Sequence, residues 1–505
     1  VDQAIRTNRS YWLIFAAAIS LLVLMPSSDS LWIDEGYTAY LAAQPSFRAL
    51  THEFVVGARS EHQMPLSMAS AWAAAKVIGT SEYALRAVNL VWGLLALVAM
   101  FLIGRRLRLP WLVLLLALHP FFWAYMNEAR PYAMQIASGA WLCLALIIFL
   151  QDNGGGSNWA AVLAIASVVL CGTSLLGVVL VAAVSTTIGA LILREKLRPT
   201  RRAWVWLGAG VLLLTPLGAF YVWTLAKGAS GSRYWEVSSA NVGFTFYEWG
   251  GFAGLGPPRH LLREAAASGE SYRALSAQHL PALTALTACY SAALVCFWRR
   301  EKSRQELRLL AGCLCALMLS ALLMTVLAGG VNWPFWGRHV SAVLPFVVLI
   351  VALLLGNSAQ GRLRRIQATL LVALLGLYAV SSYHLRFDSW YRRDDYRGAT
   401  TLAKTALRGG RTVWWAGNGM TARYYQLPLN GPGDRGGALL VQNRTATELQ
   451  ELAKAAPPDL IALTKPSALD VHHALRDFVA GGDWELVSTP QAFLIYSRRD
   501  TGNRR

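Results

Sequence analysis

Asp34 and Glu35 are adjacent carboxylates in the run Leu31-Trp32-Ile33-Asp34-Glu35-Gly36-Tyr37-Thr38-Ala39-Tyr40, which follows closely on the apolar stretch 11–25. An ionised group placed in a bilayer costs about 2.5–3.5 kcal/mol even on lenient scales, so acids beside a membrane helix mark sites of function. A carboxylate there can take a proton from an acceptor hydroxyl or amine. Arg86, Arg130, Arg233 and Arg338, with His52, Glu53, His62, Glu128 and His339, fall in the same set of segments. Arginine matches phosphate oxygens bidentately and stabilises charge that develops on a leaving phosphate. A base together with a phosphate clamp at a bilayer surface suits a substrate with a lipid tail and a phosphate-linked head. Each arginine taken alone is equally compatible with snorkelling at a helix end.

Positioning these groups falls to a membrane scaffold. Of 505 residues, 55% are hydrophobic and only 15% charged, where a soluble chain carries roughly a quarter charged residues. Apolar runs near 20 residues long recur along the chain, which defines an α-helical polytopic membrane protein. Eleven spans are expected, at 11–26, 84–104, 109–125, 131–150, 159–172, 174–193, 203–224, 279–298, 308–329, 340–356 and 365–382. The N-terminal run lacks a small-x-small cleavage site after Met25 and reads as an uncleaved first helix. The net charge of +18 forms no solvated basic stripe, so nucleic acid is not expected as a partner. All six cysteines lie inside apolar runs, which leaves no disulfide framework or zinc motif in the polar segments.

Basic clusters orient the spans. Arg105, Arg106 and Arg108 share one face with Arg194, Lys196, Arg198, Arg201 and Arg202, with Arg299, Arg300, Lys302, Arg304 and Arg308, and with Arg362, Arg364 and Arg365. That face is cytoplasmic, and the acidic run lies outside. The external loop 27–83 contains amphipathic stretches at 40–50 and 66–78, and a second loop, 225–278, is rich in aromatics, including Tyr234, Trp235, Phe244, Phe246, Tyr247, Trp249 and Phe252. Such density suits a headgroup-level belt or a platform for sugar rings. The division expected is a membrane domain over 1–382 and a small external α/β domain over 383–505. In the latter, strands at 412–416, 438–441, 460–463 and 493–496 alternate with helices at 396–406, 445–455 and 468–479. Gly417-Asn418-Gly419 lacks a full dinucleotide fingerprint and reads as a turn.

Four motifs then carry a family likeness. Trp32-Ile33-Asp34-Glu35-Gly36-Tyr37 resembles the acidic motif after the first helix of the C-fold (GT-C) membrane glycosyltransferases, the group of protein O-mannosyltransferases and lipid A aminoarabinose transferases. Pro65-Leu66 followed by Gly79-Thr80-Ser81-Glu82-Tyr83-Ala84-Leu85-Arg86 is similar to its first-loop pattern, and Asn127-Glu128-Ala129-Arg130-Pro131-Tyr132-Ala133 to its second external motif. Asp394-Asp395-Tyr396-Arg397-Gly398-Ala399 resembles the start of a C-terminal domain found in many members. Gln63, preceded by His62, stands where members often have a histidine.

The resemblance implies inverting transfer of a sugar from a polyprenyl-phosphate donor to a glycan, lipid or protein acceptor at the external face of a bacterial inner membrane. It implies Asp34 as general base assisted by Glu35, with Arg86, Arg130 and Arg338 on the donor phosphate and Glu128, Tyr132, His62 and His339 in support. No metal or cofactor is implied, and a monomer is expected. A transporter of lipid-linked substrates would place charges inside its spans, whereas here they gather at one face; a membrane-anchored binding protein would work through its tail alone.

Overall fold

The computed structural model describes the chain except residues 1, 57–60, 228–238, 259–260, 263–274, 332–336, 357–360, 431–435 and 500–505. Arg233, Tyr234 and Trp235 therefore lie outside the described residues.

Eight described helices are long and apolar enough to cross a membrane: Glu82–Leu107, Tyr132–Gln151, Gly177–Glu195, Arg201–Ala226, Ala277–Arg299, Arg304–Gly329, Gly337–Leu355 and Gly361–Phe387. Arg9–Val23 and Asn158–Thr173 are shorter apolar helices. The run expected as one span over 109–125 is broken into Leu112–Leu118 and Pro120–Met126. The break follows from Pro120, which has no N–H to give and sits where proline starts a helix well. His119 caps the new start by accepting from the Phe121 N–H at 3.2 Å, and its other ring nitrogen meets the Trp249 carbonyl at 3.0 Å. That contact, with the Tyr290 hydroxyl donating to the Gly250 carbonyl at 2.7 Å, anchors the end of helix Ser239–Trp249 onto the bundle.

Tyr132–Gln151 is the central helix, buried on nearly all sides, as its all-round apolar sequence requires. Gly139 lets the 3-10 turn Gly337–Val343 cross it closely: a Cβ there would lie 1.9 Å from the Ala342 carbonyl oxygen. The Ser341 hydroxyl, donating to Gln135 at 2.7 Å, fixes the same crossing and so fixes Arg338.

The segment before helix Glu82–Leu107 forms helices Ile33–Ala42, Phe47–Val56 and Pro65–Ile78. The C-terminal part folds around a six-stranded sheet of order β2-β3-β1-β4-β6-β5. Its strands are β1 (Val413–Ala416), β2 (Leu429–Asn430), β3 (Ala438–Leu440), β4 (Leu460–Thr464), β5 (Trp484–Ser488) and β6 (Phe493–Arg498). β1 pairs in parallel with β3 and β4, Val413 opposite Leu460, and β6 runs antiparallel to β4. Successive side chains alternate faces, so Trp415 and Phe493 pack under Tyr396 while Trp414 and Ile461 face Phe478. β2 and β5 were not expected: β2 has only two residues, and β5 lacks the buried apolar run that marks the other strands.

This sheet is docked directly on the acidic run. Ile33 packs into the Tyr396 side of its core. The Tyr425 hydroxyl accepts from the Leu31 N–H at 2.7 Å, Tyr424 donates to the Thr80 carbonyl at 2.8 Å, and Arg397 pairs with Glu82 at 2.7 Å.

Candidate active site

Asp34 and Glu35 occupy the first turn of helix Ile33–Ala42, where unsatisfied N–H groups favour negative charge. Being neighbours on a helix, they point in different directions, and their surroundings are opposite.

Glu35 is fully buried. Its carboxylate accepts from Arg86 twice, at 2.9 Å from Nε and 2.7 Å from Nη2, from the Ala129 N–H at 2.7 Å and from the Trp32 N–H at 3.3 Å. Arg86 spends its remaining N–H groups on the carbonyls of Ser27, Asp29 and Ser30 and on the Ser27 hydroxyl. The pair thus joins three pieces of chain, the segment entering the acidic run, helix Glu82–Leu107 and the Asn127–Pro131 turn. Asn89 reinforces the same joint by donating to the Met126 and Glu128 carbonyls.

Asp34 is about 29% exposed, and its carboxylate makes one long ion pair, to Arg338 Nη2 at 3.7 Å. No hydrogen bond to that carboxylate is seen among the described residues. Burial pushes the carboxyl upward, but Arg338, Arg130, Lys465 and Arg393 together outweigh that and hold it below the usual range. Asp34 is therefore ionised and uncommitted.

Arg130 donates to the Asp34 carbonyl at 3.2 Å and to Glu61 at 3.0 Å. Burial disfavours its charge, while Glu61 and Asp34 restore it. Glu128 is buried and pairs with Arg393. Tyr132 is buried with its ring edge-on to Tyr125, and His339 is half-buried beside Arg338. His62 is buried edge-on to Phe54, with neither ring nitrogen hydrogen-bonded among the described residues, and burial pushes its pKa down. His52 and Glu53 belong to helix Phe47–Val56 and touch none of these groups in the described contacts; His52 is exposed, and Glu53 accepts from the Tyr40 hydroxyl at 2.8 Å.

Four contributors were absent from the sequence-based set: Glu61, Arg393, Lys465 and Glu248. Trp32 links two of them, because its indole carries Arg393 at 4.6 Å, Lys465 at 4.9 Å and Arg338 at 5.4 Å from the ring centroid. Cations over an indole face are attracted by its quadrupole. Lys465 reaches it from a left-handed turn just after β4 and also pairs with Asp394 at 2.5 Å. The strand order reverses between β1 and β4, the place where open α/β sheets hold ligands. Here that crevice holds the acidic helix instead. Gly36 meets Thr421, just past β1, so closely that a Cβ on Gly36 would lie 1.9 Å from the Thr421 hydroxyl. The Asn127-Glu128-Ala129-Arg130 and Arg392-Arg393-Asp394-Asp395 runs each carry a sequence signal of paired opposite charges, but not the pairing between them.

Beside Trp32 opens a cavity of about 1050 Å³. It is lined by Arg338, Arg386, Arg392, Arg393, Arg397 and Lys465, by Asp394 and Asp395, and by Trp123, Tyr125, Phe244, Tyr247 and Glu248. Arg86 is on the cavity lining, whereas Asp34, Arg130 and Tyr132 are not. Among the described residues no group of three or more His, Cys, Asp or Glu side chains is placed to hold a metal.

The whole chain is similar in fold to two crystal structures of ArnT from Cupriavidus metallidurans. The apo form shares 13% identity with a TM-score of 0.51, covering 96% of this chain and 97% of that one. The form bound to undecaprenyl phosphate shares 12% with a TM-score of 0.51, covering 97% and 98%. The archaeal oligosaccharyltransferase AglB from Archaeoglobus fulgidus, in complex with an inhibitory peptide and a dolichol-phosphate, aligns at 11% identity and a TM-score of 0.44, covering 98% and 74%. No family model and no curated protein matches the chain. At these identities the likeness is one of fold: the chain is a multi-pass membrane protein with the ArnT-like GT-C architecture.

Proposed function

We propose that the protein transfers a sugar from a polyprenyl-phosphate donor to an acceptor hydroxyl or amine at the external (periplasmic) face of a bacterial inner membrane, with inversion and with Asp34 as general base. The observation that carries this reading is the contrast between the two carboxylates. Glu35 accepts four N–H groups and has no capacity left, while the Asp34 carboxylate is ionised, partly open and without a hydrogen bond among the described residues.

In the proposed step the Asp34 carboxylate takes the acceptor proton as the acceptor atom bonds to the anomeric carbon. The bond from that carbon to the phosphate oxygen breaks, and its electron pair leaves with the polyprenyl phosphate. Arg338 faces both Asp34 and the cavity, so it serves the leaving phosphate, and Arg393 and Lys465 add charge from the C-terminal side. Arg130 holds the Asp34 backbone. Arg86 departs from the sequence expectation: with every N–H engaged, it acts as a brace for the acidic run rather than as a phosphate ligand. The ArnT structure bound to undecaprenyl phosphate supports a polyprenyl-phosphate lipid on the same fold.

Lipid and glycan mass spectrometry of producing cells, with and without the protein, tests the reading. Loss should raise a polyprenyl-phosphate sugar and remove that sugar from an envelope glycan, lipid or protein. Unchanged pools on both sides would contradict it.

A further inference from the structure

Glu61 is a second acid at Arg130, and the proposed chemistry gives it no part. It is buried in the 3-10 turn Glu61–Gln63, just before helix Pro65–Ile78. Arg130 Nη1 donates to Glu61 Oε1 at 3.0 Å and to the Asp34 carbonyl at 3.2 Å. The same guanidinium thus touches one acid by its carboxylate and the other by its backbone. Arg130 is itself buried, so its charge requires a carboxylate close by. Glu61 and then Asp34 are the acids that sustain it. Glu61 takes the direct charge-assisted bond, while the Asp34 carboxylate keeps only its long pair to Arg338 at 3.7 Å among the described residues.

We infer that Glu61 is a positioning residue that holds Arg130 off the Asp34 carboxylate and so keeps the base uncommitted. The inference rests on the transferase reading above. With Glu61 in place, Arg130 neutralises Glu61 and fastens the Asp34 backbone. With Glu61 neutral, the guanidinium turns to the carboxylate of the residue whose carbonyl it already holds. That carboxylate then spends on Arg130 the lone pairs that would receive the acceptor proton. Glu61 touches no substrate in this scheme and moves no proton. The other groups around Asp34 do not replace Arg130 in this role. Lys465 and Arg393 have carboxylates of their own in Asp394 and Glu128, and Arg338 lines the cavity. The Tyr37, Tyr132 and Tyr396 phenols are uncharged at neutral pH.

The test has two readouts on the full-length protein. The first is sugar transfer in proteoliposomes with the polyprenyl-phosphate lipid extract of the native membrane. Glu61→Gln should lower kcat by about tenfold or more and leave the apparent donor KM within about twofold. It should also move the acid limb to lower pH, because a guanidinium on the carboxylate makes Asp34 a weaker base. Glu61→Asp, which keeps the charge, should recover most of kcat. The second readout, thermal unfolding in detergent, needs no activity. Asp34→Asn should leave the midpoint unchanged in the wild type. In the Glu61→Gln background it should lower the midpoint by about 5 °C or more, because Asp34 has there become the carboxylate that neutralises Arg130. Equal shifts in the two backgrounds, or a wild-type kcat in Glu61→Gln, overturn the inference. Should Glu61→Gln not fold, Glu61→Ser carries the same two readouts. Failure of both to fold overturns it as well, since Arg130 then found no second carboxylate. A wild type that transfers no sugar instead contradicts the transferase reading, and the unfolding comparison still judges whether Glu61 holds Arg130 off Asp34.

Discussion

Glu35 and Arg86 form a bidentate ion pair at 2.7 and 2.9 Å with both side chains almost wholly buried. The pair fastens the acidic run to helix Glu82–Leu107, and its removal leaves a buried charge without its counterpart. Glu35→Gln or Arg86→Ala should therefore cost about 3–5 kcal/mol of stability, read as a lowered thermal unfolding midpoint in detergent. Arg86→Lys should fail nearly as badly, because an ammonium cannot serve the Glu35 carboxylate and the carbonyls of Ser27, Asp29 and Ser30 together. An unchanged midpoint with a specific loss of phosphate affinity would instead make Arg86 a donor ligand.

The cations around Trp32 set the protonation of Asp34. A base acts in its ionised form, so activity is present above its pKa and falls as pH drops through it. Arg338, Arg130, Lys465 and Arg393 hold that pKa below the usual carboxylate range despite burial, which places the acid limb of the rate profile low. Removing one cation, in Lys465→Met or Arg393→Met, should move the limb toward higher pH. A limb that stays in place in both variants would show that another group controls it.

Gly36 has no room for a methyl group, since a Cβ would stand 1.9 Å from the Thr421 hydroxyl and 2.8 Å from the Thr421 Cα. Gly36→Ala should push the C-terminal sheet away from the acidic helix and carry Lys465 off Trp32. Transfer should fall at least tenfold, and protease should cut sooner in the segment before helix Tyr396–Arg408. Pairing it with Thr421→Gly should restore part of the loss, because the backbone contact remains. Full activity in Gly36→Ala would mean that the sheet's docking is dispensable.

His62 sits against Phe54 with both ring nitrogens unbonded among the described residues, and burial keeps the ring neutral. Its geometry is that of a packing residue. His62→Phe should retain transfer within about threefold at neutral pH. A hundredfold loss with an intact fold would give the ring a part in the chemistry.

Much of this was legible in the chain before any coordinates. Long apolar runs locate the helices, and four of the six strands announce themselves as short apolar stretches. Asp34, Arg130 and Arg338 do converge. The residues alone did not rank Asp34 and Glu35, because two adjacent acids look alike until their partners are known; only the family resemblance assigned them unequal roles. Arg86 shows the same limit: an arginine that follows an acidic motif reads identically whether it binds phosphate or a carboxylate. Glu61, Arg393, Lys465 and Glu248 went unseen because no local pattern marks them: Arg393 and Lys465 reach the site through the docking of the sheet, Glu248 lies beside the turn at Gly337–Val343, and Glu61 meets Arg130 from the turn before helix Pro65–Ile78. The run over 109–125 is broken at His119-Pro120. That break was encoded by one proline inside an otherwise continuous apolar run.

The central claim is that Asp34 takes the acceptor proton. It is tested most directly by reconstituting wild-type and Asp34→Asn protein in proteoliposomes with the polyprenyl-phosphate lipid extract of the native membrane and measuring sugar transfer. Asparagine keeps the shape and cannot accept the proton, so transfer should fall by about 10²–10⁴-fold while the unfolding midpoint and expression stay at wild-type levels. Transfer at the wild-type rate in Asp34→Asn would contradict the account.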